Sequence, residues 1–190
     1  MEGEKIPELL ESSLGNGGKA THIVVEFAKG AHAEPHYHTD YEETFELLQG
    51  AILMSLSPDM TEENLKHFHL ELGKPVTVPR NTLHAFVVTE PATRANISMT
   101  PGSLGWEQVI AIMRGARADG LSGDFGSLDT GKEAIFPAIM SELTNTIYTG
   151  EAEKNVTALR AARGAEVSKL RDELLAKYAT NEKIKAAAGL

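Results

Sequence analysis

The sequence predicts a mainly β protein, a closed barrel or sandwich of short strands followed by C-terminal α-helices. Three observations carry this. Seven runs rich in β-branched and aromatic residues lie between Thr21 and Thr100, and Gly, Pro, Asn or Asp punctuates most of the gaps. No helical stretch separates these runs, which argues against a parallel βαβ sheet. At Thr100-Pro101-Gly102-Ser103 the composition changes, and beyond it apolar residues recur at helical spacing.

Taken in order, Pro7 to Glu11 is expected to form a short helix, closed by the loop Gly15-Asn16-Gly17-Gly18. The strands are expected at Thr21–Phe27, Thr44–Leu48, Ala51–Leu56, His67–Leu72, Val76–Val78, His84–Thr89 and Arg94–Thr100. From Gly105 a helix places Trp106, Val109, Ile110 and Met113 on one stripe. A Gly- and Asp-rich loop from Ala118 to Gly131 leads to a second helix over Lys132–Tyr148. A third, from Glu151 to Tyr178, sets Val156, Leu159, Val167, Leu170, Leu174 and Tyr178 on an approximate stripe that packs on the barrel or on a partner subunit. The expected division is therefore a barrel with its N-terminal segment over residues 1–102 and a helical extension over 103–190.

Composition narrows the function classes. With 27 acidic against 18 basic residues the net charge is −9, which argues against electrostatic binding to nucleic acid or an anionic membrane. The absence of cysteine excludes a disulfide framework and a thiol nucleophile. Met1 to Lys5 lacks the basic start and apolar run of a signal peptide, and no segment is apolar for long enough to span a bilayer. The expectation is a cytoplasmic protein.

The most informative stretch is Gly30 to Gly50, GAHAEPHYHTDYEETFELLQG, completed at a distance by Gly73 to His84, GKPVTVPRNTLH. Side chains alternate across a strand, so His36 and His38 project from one face as a two-imidazole clamp. Glu43 sits at an odd offset from His38, and the chain must bend at Thr39-Asp40-Tyr41 to bring it to the same face. Beyond the bend Glu43, Phe45 and Leu47 share a face, so a carboxylate heads an apolar row, which is costly unless it meets a cation. His84 follows the turn Pro79-Arg80-Asn81-Thr82 and returns over the same space. Three imidazoles and one carboxylate suit a divalent transition metal such as Fe, Mn, Ni, Zn or Cu and are poor ligands for Ca²⁺ or Mg²⁺.

At these residues the sequence resembles the cupin superfamily. Its first motif, G-x5-H-x-H-x3,4-E-x6-G, is filled by Gly30, His36, His38, Glu43 and Gly50. Its second, G-x5-P-x-G-x2-H-x3-N, is filled by Gly73, Pro79 and His84, with Asn81 where glycine is usual and Val88 where asparagine is usual. Asn tolerates positive φ better than most non-glycine residues, so Asn81 is expected to keep the turn. The Pro-Gly pair and aromatic-led helix after Thr100 are similar to the barrel closure of small, quercetin-dioxygenase-like members. The resemblance implies a double-stranded β-helix (jelly-roll) barrel and a metal held by His36, His38, Glu43 and His84.

Two functions follow as expectations. One is a metal-dependent small-molecule enzyme of dioxygenase type, an oxidoreductase with Glu43 as the candidate catalytic residue and an aromatic or partly apolar substrate; the other is a non-catalytic or sensory binder using the same cavity. Candidate lining residues are Tyr41, Phe45, Leu47, Phe86, Val88, Arg94 and Asn96. Tyr41 and Phe86 either line the mouth or fill the core. The row Arg94, Asn96, Ser98 faces either the cavity or solvent. His67 and His69 are expected to point outward, because Phe68, Leu70 and Leu72 form the apolar face between them. His32 belongs to the loop near the site's rim. A homodimer is expected, since unpaired sheet edges invite pairing.

Overall fold

The structure is a computed structural model and describes residues 6–120 and 135–190. Two five-stranded sheets face each other. Their strands are β1 (Glu8–Glu11), β2 (Thr21–Phe27), β3 (His32–Tyr37), β4 (Glu42–Gln49), β5 (Ile52–Leu56), β6 (Lys66–His69), β7 (Val76–Val78), β8 (His84–Val88), β9 (Thr93–Thr100) and β10 (Ile147–Tyr148). The first sheet runs β1-β2-β9-β4-β7 and the second β10-β3-β8-β5-β6, with antiparallel pairing along every strand ladder. Chain neighbours such as β3 and β4 lie in opposite sheets, so the order is that of a double-stranded β-helix.

Period-two patterning builds the interior. On β4 Glu43, Phe45 and Leu47 are buried while Thr44 and Glu46 are less so; on β9 Ala95, Ile97 and Met99 point inward. These side chains meet Ile23, Val25, Ile52 and Met54 from the other strands. At roughly 1.5–3 kcal/mol for each fully buried large apolar side chain, this shared core is the main force closing one sheet on the other. The motif glycine Gly50 has φ of +80°, and a Cβ there would stand 2.2 Å from Thr93 Oγ1, so the β4–β5 turn requires glycine. Asn81 takes φ of +56° and fills the turn that glycine usually makes.

The helical half comprises α2 (Leu104–Ala118), α3 (Ile135–Leu143), α4 (Gly150–Tyr178) and α5 (Asn181–Ala187), after the short α1 (Ser13–Asn16) near the N-terminus. Ser103 caps α2, accepting from Trp106 N, and Val109, Ile110 and Met113 are buried. The buried Glu107 carboxylate accepts from Ser13 N at 2.7 Å and Thr21 Oγ1 at 2.6 Å, fixing α2 against the barrel's first strands. On α4, Val167, Leu174 and Tyr178 are buried and Val156, Leu159 and Leu170 pack beside them, with a break in helical geometry at Arg163.

Two expectations are corrected. Pro7–Glu11 supplies a strand: Leu9 is buried between the more exposed Glu8 and Leu10, and pairing with β2 overrides the helical tendency of ELLE. The helix expected to reach Tyr148 ends at Leu143, because Asn145 adopts φ of +51° and the chain turns into β10. Of the loop expected from Ala118 to Gly131, Ala118 still belongs to α2 and the part from residue 121 on lies outside the described residues, as does Lys132 at the expected helix start. Helix α5 was not expected.

Candidate metal centre

The four predicted ligands converge. His36, His38, Glu43 and His84 are all buried, and one ligand atom from each lies within 4.8 Å of the others. The reason is topological. His36 on β3 and His84 on β8 are register partners, so their rings face each other with centroids 4.2 Å apart. A bulge in β3 between Ala33 and His36, at the donor-less Pro35, re-aims the strand just before the first ligand. His38 follows the end of β3, the chain bends at Thr39 and Asp40, and β4 brings Glu43 across from the opposite sheet. The amide of Asn81 donates to the His38 carbonyl at 2.7 Å, tying the second motif's turn to the first motif's ligand.

Each imidazole is held through Nδ1. His36 Nδ1 bonds the Glu34 carbonyl at 2.7 Å, His84 Nδ1 the Thr82 carbonyl at 2.9 Å and His38 Nδ1 the Asn145 carbonyl at 3.0 Å. A neutral imidazole that donates from Nδ1 presents a bare lone pair at Nε2. Glu43 Oε2 lies 3.3 Å from His84 Nε2 and 3.6 Å from His38 Nε2, and both of these buried nitrogens lack a hydrogen-bond partner. Lone pairs of nitrogen and carboxylate oxygen thus converge on one point, which is unfavourable unless a cation occupies it. The donor set therefore fits a divalent transition metal.

Electrostatics agree with that fit. Burial, followed by the neighbouring His84 and His38, depresses His36 to about 3, which keeps it neutral and available as a ligand at neutral pH. Burial alone would push the Glu43 carboxyl up; hydrogen bonding and charge from His38 and His84, which require a proton at Nε2, pull it back below its ordinary range, so the carboxylate is satisfied either by such a proton or by a bound cation.

His36 and Glu43 also border a cavity of about 440 Å³, within the range of small-molecule sites. Its wall comes from both halves of the chain: Phe45 and Phe86 from the barrel, Trp106 from α2, Phe136 and Met140 from α3, and Tyr148 from β10. Of the predicted lining residues, Phe45 and Phe86 reach this wall. Leu47 and Val88 are buried one step further along the same strands, in the core. Tyr41 is buried behind His38, its ring stacked on the imidazole at 4.5 Å between centroids; burial, then the Glu43 charge, pushes its phenol up. Arg94 and Asn96 are corrected: β9 turns Ala95, Ile97 and Met99 inward, so Arg94 is exposed and Asn96 donates to Glu46 Oε2 at 2.9 Å on the outer face. His67 and His69 are exposed, the former bonded to Ser55 Oγ. His32, exposed at the rim, lies on the cavity wall and 3.4 Å from Glu34.

The residues that sequence reasoning did not place at the site are Trp106, Phe136, Met140, Thr144, Asn145 and Tyr148. Only Trp106 carried a signal, as the head of the first helical stripe.

The strand order, with the two motifs meeting at one buried His/Glu cluster, defines a double-stranded β-helix barrel, the fold that the resemblance implied. No family model and no curated protein matches the chain. Among solved structures it is similar to KdgF from Halomonas sp. at 21% identity, covering 50% of this chain and 78% of that one with a TM-score of 0.42. It is also similar to an uncharacterized conserved protein with a double-stranded β-helix domain from Klebsiella pneumoniae subsp. pneumoniae (16% identity, 54% and 81% covered, TM-score 0.42). A cupin-2 domain containing protein from Shewanella frigidimarina is similar at 15% identity (53% and 84% covered, TM-score 0.40).

Proposed function

We propose that this protein is a metal-dependent enzyme of dioxygenase type that acts on a small aromatic or partly apolar compound. The observation that carries the proposal is the pair of partnerless, buried Nε2 atoms of His38 and His84 facing an ionised Glu43, with His36 and Glu43 opening onto an apolar cavity. His36, His38, Glu43 and His84 would hold one divalent transition metal, which when bound supplies Lewis-acid or redox chemistry to a ligand beside it.

The chain's own residues set what that ligand is. Phe27, Phe45, Phe86 and Phe136 line the cavity and would bind a flat or apolar body. Burial of the site between sheets and helices excludes bulk water from it. Glu43, the buried one of the three carboxylates on the cavity wall, is the group that would accept a proton from a substrate hydroxyl seated there.

The test is anaerobic reconstitution with Fe²⁺, Mn²⁺, Ni²⁺ or Cu²⁺, followed by O₂-uptake measurements with flavonoid, catechol, diketone and hydroxy-acid compounds. Turnover with at least one compound, impaired in Glu43→Gln, is expected. If no metal form consumes O₂ while compounds still bind and raise the melting temperature, the protein is a small-molecule binder instead.

A further inference from the structure

Among the three imidazoles, His38 alone is anchored from outside the barrel. His36 and His84 donate to carbonyls two residues earlier in the chain, at Glu34 within β3 and at Thr82 in the turn before β8, so barrel formation by itself orients them. His38 donates to the carbonyl of Asn145, in the turn between α3 and β10. The same Nδ1 lies 3.0 Å from Tyr41 Oη. That hydroxyl donates to the Thr144 carbonyl at 2.8 Å and accepts from Trp106 Nε1 on α2 at 3.0 Å. The Asn145 side chain completes the clamp, its Oδ1 accepting from Thr39 N at 2.7 Å and Thr39 Oγ1 at 3.0 Å. Asn145 makes these contacts from a left-handed conformation, φ of +51°, which aims its carbonyl and its side chain at consecutive barrel residues.

We propose that the helical half is a working part of the metal centre: the Thr144–Asn145 turn and Trp106 position His38 as a ligand, so that metal binding and docking of this turn on the barrel reinforce each other. The proposal rests on the metal reading above and goes beyond it by assigning positioning roles to Asn145, Tyr41 and Trp106. Two physical arguments support it. A hydrogen bond to Nδ1 fixes both the tautomer and the ring plane of a metal-ligating imidazole, and loss of such a bond typically weakens metal affinity about 10–100-fold. Coupling is also reciprocal: if the docked turn tightens the metal, the metal must tighten the turn by the same factor. Trp106 and Thr144, which hold the Tyr41 hydroxyl, line the cavity as well, so a cavity ligand would touch two of the residues behind His38.

The test uses the full chain and Co²⁺ as probe, with affinity and ligand-field spectrum read together. Asn145→Gly keeps the left-handed backbone but removes the clamp on Thr39; Tyr41→Phe keeps the stacked ring but removes the hydroxyl. Each is expected to weaken Co²⁺ binding at least about tenfold and to alter the visible spectrum, whereas Asn145→Asp, which retains an acceptor for Thr39, recovers most of the affinity. In wild type, adding Co²⁺ should slow hydrogen exchange at the amides of Thr146 and Thr149, which bond Ser141 and Pro35 across this turn. Should either variant fail to fold in the metal-free state, Trp106→Phe, which keeps an aromatic ring but removes the indole N–H donor to Tyr41 Oη, replaces it. Variants that bind within twofold of wild type with unchanged spectra, together with exchange indifferent to metal, overturn the coupling. Wild type that takes up no metal overturns both this inference and the metal reading, a result distinct from the first.

Discussion

Glu43→Gln separates the two jobs of the carboxylate, because the structure predicts opposite effects on the metal-free and metal-bound protein. In the metal-free protein the buried Nε2 atoms of His38 and His84 lack donors and face carboxylate oxygen at 3.6 and 3.3 Å. A glutamine of the same shape brings an NH₂ group with two donors to that point and removes a buried negative charge. Leaving one buried acceptor unsatisfied costs about 1–3 kcal/mol, so relieving even one of the pair should stabilise the metal-free fold by about 2 kcal/mol. For a chain of this size that corresponds to a rise in Tm of roughly 4–8 °C. With metal present the order should invert: the variant lacks the only anionic ligand and should gain little from Zn²⁺ or Co²⁺, while wild type gains strongly by mass action. Scanning calorimetry on both proteins, in chelator and in excess metal, measures all four values. A metal-free variant that melts below metal-free wild type, together with undiminished metal stabilisation, would show that no cation belongs between Glu43 and the imidazoles.

Three further outcomes are expected. Wild type should purify with near-stoichiometric transition metal, and His84→Ala, which removes the ring paired with His36 across β3 and β8, should lose most of it; equal content by elemental analysis would remove His84 from the ligand set. In chelator, the metal-free protein should lose stability as pH falls from 6.5 towards 3, because His36 is depressed to about 3 in the fold and the unfolded chain takes up that proton first. The slope is at most about 1.4 kcal/mol per pH unit and should shrink in His36→Asn; parallel denaturation profiles for the two proteins refute it. The chain should be a homodimer in solution, since β1 ends one sheet and carries the exposed Leu10; light scattering that reports a monomer at micromolar concentration rejects this.

The barrel was legible from sequence because its signals are local. Strands β2, β4, β5, β7, β8 and β9 alternate inside and outside, the turn at Gly50 needs its glycine, and the left-handed turn at Asn81 has a residue that tolerates positive φ. What failed was decided at long range. Residues Glu8 to Glu11 have helical propensity and become a strand only because Val24 and Ile23 wait on β2. The same applies to β9, where alternation is plain but its phase is not: Arg94, Asn96 and Ser98 form as regular a row as Ala95, Ile97 and Met99, and only packing against Phe45 and Leu47 says which row is inside.

The site divides along the same line. Spacing puts His36 and His38 on one face, the bend at Thr39 and Asp40 lets Glu43 meet them from the opposite sheet, and His36 and His84 draw their orienting carbonyls from residues two positions away, so the sequence that supplies these ligands also supplies their support. His38 lies past the end of β3, where the ladder no longer fixes the backbone, and its support is 107 residues distant at Asn145. No periodicity links a left-handed asparagine after α3 to a histidine after β3. A ligand at the frayed end of a strand needs an anchor from elsewhere if it is to hold a ring plane. The chain provides one by folding its helical half back so that Tyr148 pairs with His36 and Asn145 meets His38. This also explains why the helix from Ile135 must stop at Leu143: one more helical turn would carry Asn145 past the barrel and leave His38 Nδ1 with Tyr41 alone.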